Sequence, residues 1–175
     1  MRKFVLALAA LLVGMTSASA QKIGFINTEQ ILGEILEYQQ AQNYLNKLSD
    51  KYRASIESEV AEIDKLYQTY QSQKASLTAS QRSVKEQEII SREQQVKEKQ
   101  KLYFGENGVM AKRSEELLSP IQSIVNDAIT TVAETGGYDM IVDLAAAVGV
   151  VYKKPDLDLT QRIINLLADM RTADN

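Results

Sequence analysis

Ile89, Val96, Tyr103, Met110, Leu117 and Ile124 stand seven residues apart without a slip. Seven residues are close to two helical turns, so these six side chains fall on one stripe of a long helix. Upstream, Leu45, Leu48, Tyr52, Ile56, Val60, Ile63, Tyr67 and Tyr70 recur in steps of three and four, which makes a second narrow stripe. Glu, Lys, Ser and Gln flank both. The first stripe fades at Ser76-Leu77-Thr78-Ala79-Ser80, where Thr78 and Gln81 have the spacing of a capping box. A link that short joins antiparallel neighbours. The expectation is a helical hairpin with its tip near 76–80.

Folding about Thr78 pairs Tyr70 with Glu86, Ile63 with Glu93 and Tyr52 with Phe104. At ~1.5 Å per residue, helices of roughly forty residues give arms of about 60 Å. An arm so thin buries little surface. Apolar pairs look sparse in the tip half and denser in the base half, around Tyr44, Leu45, Met110 and Leu117. Flexing is therefore expected to be greatest at the tip.

Gly105 and Gly108 interrupt the second helix. The seven-residue register runs through them, so the helix is expected to continue in direction with a soft point there. Each glycine costs about 1 kcal/mol relative to Ala in a helix interior. One reading is a hinge at Gly105 and Gly108. The other is close approach of the facing helix near Leu48 and Tyr52. Ser119-Pro120 predicts a kink or restart, since proline suits a first helical turn. Beyond it Ile121, Ile124, Val125, Ala128, Ile129 and Val132 form a wider, core-facing surface.

The two ends differ from the middle. Residues 1–20 have the three parts of a secretory signal peptide: basic Arg2 and Lys3, an apolar run from Phe4 to Val13, and the small-residue site Ala18-Ser19-Ala20. The run is shorter than the roughly 20 residues of a spanning helix. No cysteine follows the site, so a lipid anchor is not expected. No other apolar run approaches membrane length, so no stable membrane insertion is expected after cleavage, and the mature chain should work outside the cytoplasm. Loss of Arg2 and Lys3 takes the net charge from -3 to -5. A mildly acidic chain argues against nucleic acid as the main partner.

Lys22 to Ile26 reads as a strand, and Asn27 with Gln30 as a cap that starts a helix. Gly136-Gly137 ends the last helix of the middle region. Tyr138 to Asp143 and Val148 to Tyr152 read as two further strands joined as a hairpin. Pro155-Asp156 gives a turn, and Asp158 caps a helix over 159–170. One strand from the start and two from the end must share a sheet. The fold class is therefore α+β: a small β-sheet base built from both termini (21–36 and 119–172) with a long inserted antiparallel α-helical coiled-coil arm (37–118). So small a core usually calls for oligomerisation. Ile23, Phe25, Ile141, Val150 and Val151 are the strand residues expected at that oligomer interface.

KIGFINTEQIL at the start and GYDMIVDLAAAVGVVYKKPDLDLTQRIINLL at the end, with the long hairpin between them, resemble the Skp (OmpH) family of periplasmic chaperones. The resemblance covers essentially the whole mature chain. YFGENGVMAKRSEELLSPIQ is similar to versions of the family from Bacteroidetes-type bacteria. The resemblance implies a homotrimer of jellyfish shape, with base sheets associated centrally and three arms forming a cage. It implies an ATP-independent periplasmic holdase whose partners are unfolded outer-membrane β-barrel proteins. One departure stands out. The best-known relatives are strongly basic, whereas residues 37–101 carry eleven Lys/Arg and ten Asp/Glu. Electrostatic steering of acidic clients is weakened accordingly, and no basic cluster suits a lipopolysaccharide site.

No catalytic constellation is visible. With neither His nor Cys, the common nucleophile–base pairs and zinc sites are excluded. No Gly-rich phosphate loop is present, and no cofactor is expected. Asp139 and Asp143 share a strand face, where a solvated face or a turn contact outweighs a metal or general-acid role. Lys153-Lys154 reads as a solvated turn before an anion site. Among the arm aromatics, Tyr52, Tyr103 and Phe104 read as seam packing. Tyr67, Tyr70, Leu77 and Val84 are the expected client-binding anchors, because they fall in the half taken to be poorly packed. The alternative function is a periplasmic coiled-coil scaffold whose arms dock onto a folded envelope assembly.

Overall fold

The computed structural model describes residues 21–173. The leader read at 1–20 lies outside them. The chain divides into two units, one of residues 32–124 and the other of residues up to Ile31 together with those from Val125 onward.

In the terminal unit, β1 (Ile23–Ile26) pairs in parallel with β2 (Met140–Asp143), Ile23 opposite Met140 and Ile26 opposite Asp143. Parallel pairing needs a long crossover, and here the whole helical region supplies it. On the other edge of β1, Phe25 bridges to Asp158, and the Leu159 amide donates to the Phe25 carbonyl at 2.7 Å. Leu159 comes so close that a Cβ on Gly24 would collide with its side chain. Glycine is what lets the last segment lie against this strand.

A short helix, α1 (Thr28–Gly33), follows β1. The Gln30 amide donates to the Asn27 side-chain oxygen at 3.0 Å, so the predicted cap forms. The chain then breaks at Glu34 and Ile35 before α2 (Leu36–Gln73). That break has no Gly-Pro signature beyond Gly33. The hairpin continues with α3 (Ala79–Phe104) and α4 (Val109–Gly136). Thr78 caps α3 through a full capping box: its hydroxyl accepts from the Gln81 amide at 3.3 Å, and the Gln81 side chain accepts from the Thr78 amide at 2.9 Å. Gly137, at φ +64°, closes α4. Its amide donates to Glu134 and the Tyr138 amide to Ala133, the two bonds of a Schellman motif. The last helix is α5 (Thr160–Ala173), and the Thr160 amide donates to Asp158 at 3.0 Å. Ile26, Ile31, Val125, Ala128, Val132, Leu159, Ile163 and Leu167 are the buried apolar residues of the terminal unit.

Four expectations are corrected. The helix does not pass through Gly105 and Gly108; α3 ends at Phe104 and residues 105–108 form a turn. Gly105 takes ψ 166°, and its amide still donates to the Lys101 carbonyl. The apolar phase nevertheless survives the break, with Met110 and Leu117 half-buried, and lapses only at Ile124, which is half exposed. Pro120 does not restart a helix but lies inside α4. It forfeits one intrahelical bond, to the Glu116 carbonyl, within a helix otherwise well furnished with formers. Val148 to Tyr152 do not form a strand. Asp143 accepts from the Ala145 amide and Gly149 sits at φ +97°, so the chain turns out of the extended register. β-prone composition makes a strand only where an edge receives it. Finally, the tip half of the hairpin is well packed, as its side chains show.

Candidate functional site

The seam between α2 and α3 is a cluster of Ile56, Ile63, Tyr70, Ile89 and Val96, each no more than 8% exposed, with Leu66, Leu77 and Tyr103 packed against it. Two of the pairs expected from residue number meet, Tyr70 with Glu86 and Tyr52 with Phe104. Tyr70 donates its hydroxyl to the Glu86 carboxylate, which raises the Tyr70 hydroxyl above its ordinary pKa, with burial adding to the effect. Tyr52 stacks on Tyr103, centroids 4.0 Å apart, and meets Phe104 edge-on at 6.5 Å. These aromatic contacts fasten the hairpin just before the 105–108 turn. Lys99 pairs with Glu59 at 2.5 Å, and Arg92 lies within ion-pair range of Glu62 and Glu88.

The expected anchors therefore divide. Tyr70, 3% exposed, and Leu77 belong to the seam. Tyr67 and Val84 are open, at 51% and 63% exposure. The stripe in α2 is narrower than the sequence suggests, because Val60 and Tyr67 fall outside the seam. Ile90, beside buried Ile89, is also half exposed and was not singled out by sequence. Its signal was legible: Ile89-Ile90 puts two isoleucines on adjacent helical positions, about 100° apart, and a seam one residue wide takes only one. Tyr67 and Ile90 line a shallow open groove with Tyr70 and Ile89 at its floor and Gln71, Lys74, Glu86 and Glu93 around it. Lys74 approaches the Tyr70 ring at 5.5 Å. The groove is an apolar strip crossing both helices with charge of both signs beside it. It can hold an extended apolar side chain without dictating its partner's shape.

Gly105 and Gly108 sit where the hinge reading put them, but the reason for glycine is steric. A Cβ on Gly108 would lie 2.8–2.9 Å from the carbonyl oxygens of Leu102, Gly105 and Tyr103, and one on Gly105 would strike the Lys101 carbonyl. The turn needs room at these positions, and the facing helix does not supply the crowding.

In the terminal unit, Ile23, Phe25 and Ile141 are half-buried within the sheet, while Val150 and Val151 lie on the open segment after it. Val151 is 97% exposed, and neighbouring Val148 and Tyr152 are 102% and 78% exposed. The two aspartates of 139–143 are structural. Asp139 accepts from the Lys22 amide at 2.7 Å, and Asp143 accepts from the Thr28 hydroxyl at 2.6 Å and amide at 3.1 Å. Burial pushes the Asp143 carboxyl up, but the Thr28 and Ala145 hydrogen bonds outweigh it and hold the group below its ordinary value. Lys153 is engaged too, pairing with Asp158 at 2.7 Å. Burial likewise pushes Asp158 up; Lys153 and Thr160 overcome it and bring the carboxyl down to about 2. Among the described residues no cluster of acidic side chains could hold a metal ion, and no helix is long and apolar enough to cross a membrane.

A family model described as outer membrane protein (OmpH-like) matches residues 22–167. Chaperone protein Skp of Yersinia enterocolitica is 24% identical over 166 residues, covering 94% of this chain and 98% of its own. Chaperone protein Skp of Pectobacterium atrosepticum is 26% identical over 160 residues, covering 90% and 94%. A crystal structure from Caulobacter crescentus, described as an OmpH-like outer membrane chaperone, superposes with a TM-score of 0.63 at 14% identity, covering 90% of this chain and 89% of that one. The likeness to that structure is one of fold.

Proposed function

This chain belongs to the OmpH-like family of outer membrane proteins, and we propose that it is an ATP-independent periplasmic holdase for unfolded outer-membrane β-barrel proteins. The observation that carries the reading is the surface of the hairpin. Its seam buries Ile56, Ile63, Tyr70, Ile89 and Val96, yet Val60, Tyr67, Val84 and Ile90 are left open along it. A folded docking partner would favour one contiguous patch, whereas scattered single apolar residues suit a chain of no fixed shape. The names of the Skp relatives agree with a chaperone. Charge plays the smaller part here, because the arm is near neutral, so apolar contact supplies most of the hold.

The working form in this proposal is a homotrimer. Ile23, Phe25, Ile141, Val150 and Val151 form its interface, and exposure of Val148, Val151 and Tyr152 in the single chain supports it. The signal peptide of residues 1–20 delivers the chain to the periplasm. The turn at Gly105 and Gly108 serves as the hinge that lets the arm adapt to clients of different size.

The test is light scattering of a urea-denatured outer-membrane β-barrel protein on dilution, with and without the mature chain, at low and high salt. Suppression at about one trimer per client, persisting in high salt, is expected. A folded oligomer that leaves aggregation unchanged would establish the scaffold function instead. Replacing Tyr67 and Ile90 together by Ser should weaken suppression while leaving the circular dichroism spectrum intact.

A further inference from the structure

Asn107-Gly108 is the only Asn-Gly pair in the chain. It lies in the turn between α3 and α4, outside both helices. Asn107 is exposed, and its side chain has no hydrogen bond to any described residue. Within a helix, the next backbone nitrogen is held away from the side-chain amide and its N–H is occupied. In this turn that restraint rests on one bond, from the Gly108 amide to the Gly105 carbonyl at 2.8 Å. We propose that Asn107 is a site of spontaneous deamidation, gated by the opening of the 105–108 turn.

The chemistry needs only water. Once the turn bond opens, the Gly108 nitrogen gives up its proton to solvent base and attacks Cγ of Asn107. An N–Cγ bond forms, the Cγ–Nδ2 bond breaks, and the departing nitrogen takes a proton and leaves as ammonia. The five-membered succinimide then adds water. Opening at the Cγ side gives Asp; opening at the main-chain carbonyl gives isoaspartate. Net, one water is consumed and one ammonia released. Glycine at 108 favours the closure, since no Cβ stands beside the attacking nitrogen.

The two products act differently on the turn. Asp places a negative charge at the start of α4, whose first turn has no acidic residue, so the helix dipole welcomes it. Isoaspartate inserts an extra main-chain atom where the carbonyls of Leu102, Tyr103 and Gly105 already crowd Gly108. It should loosen the turn.

Peptide mapping by mass spectrometry tests this on the folded mature chain, incubated at mildly alkaline pH beside the same chain in urea. Product should appear at Asn107 before any other asparagine, as a mixture of Asp and isoaspartate. In urea the rate at Asn107 should rise about tenfold or more, since local opening is then no longer required. No product in the folded chain, with the urea sample reacting, would remove the site. Equal rates in both samples would remove the gate, and Asp without isoaspartate would remove the succinimide route.

Discussion

The hairpin and the terminal unit keep isoleucines dry by different means. In the hairpin, Ile56, Ile63 and Ile89 are 6–8% exposed in a seam between two helices joined by a short turn. In the terminal unit, Ile31 and Ile163 are completely buried, although they come from opposite ends of the chain. A two-helix seam always leaves an edge to water, whereas the terminal unit closes completely around these two side chains. The hairpin is thus cheap to specify and shallow in burial, and the terminal unit is the reverse.

The sharpest test of that contrast replaces Ile163 and Ile63 by Ala in separate chains. Ile163→Ala should cost about 3–5 kcal/mol and Ile63→Ala about 2–3 kcal/mol, the two ends of the range for buried isoleucine. Urea denaturation followed by circular dichroism reads both. Equal losses would show the seam to be as closed as the terminal core. Next in size, Gly108→Ala should destabilise by about 1–3 kcal/mol, because the new Cβ meets three carbonyl oxygens. An ordinary helical Gly→Ala exchange stabilises by about 1 kcal/mol, so the sign of the change decides between a crowded turn and a merely soft helix.

Thr78→Ala removes the α3 cap and should cost about 1 kcal/mol, confined to the hairpin. Hydrogen exchange checks it: faster exchange at 79–82 is expected, with the β1–β2 amides unchanged. The terminal unit has its own small handle in Asp158. Its folded pKa, about 2, lies below its ordinary 3.8, so its contribution is complete above pH 4 and is lost as pH falls from about 4 toward 2. The carboxylate side chain is 35% exposed, and solvent screening reduces the effect to about 1 kcal/mol. In acid titrations of stability, Asp158→Asn should flatten that part of the curve. An unchanged curve would assign acid sensitivity to Asp143 or to the hairpin.

Local rules read the hairpin well. The capping box at Thr78 follows from residues within a few positions of one another, and once it fixes the tip, counting back along both helices brings Tyr52 to Phe104. The same rules misplaced Tyr70 and overlooked Ile90, since which of two adjacent apolar residues enters a seam depends on how the partner helix is rotated. The helix break at 105–108 was signalled by its glycines, yet the uninterrupted heptad argued against it. Phase and continuity turned out to be separable: a four-residue turn returned Met110 and Leu117 to the inward side.

The sequence by itself determined the two apolar stripes of the hairpin, their antiparallel link and the near-neutral charge of the arm, because capping and periodicity act over a few residues. Only the tertiary structure decided that β1 takes Asp158 as its second neighbour, that Val148 to Tyr152 stay out of the sheet, and that Tyr67 remains exposed. Those outcomes depend on which distant backbone edge or helix face is free to receive a segment, and no short stretch of sequence contains that information.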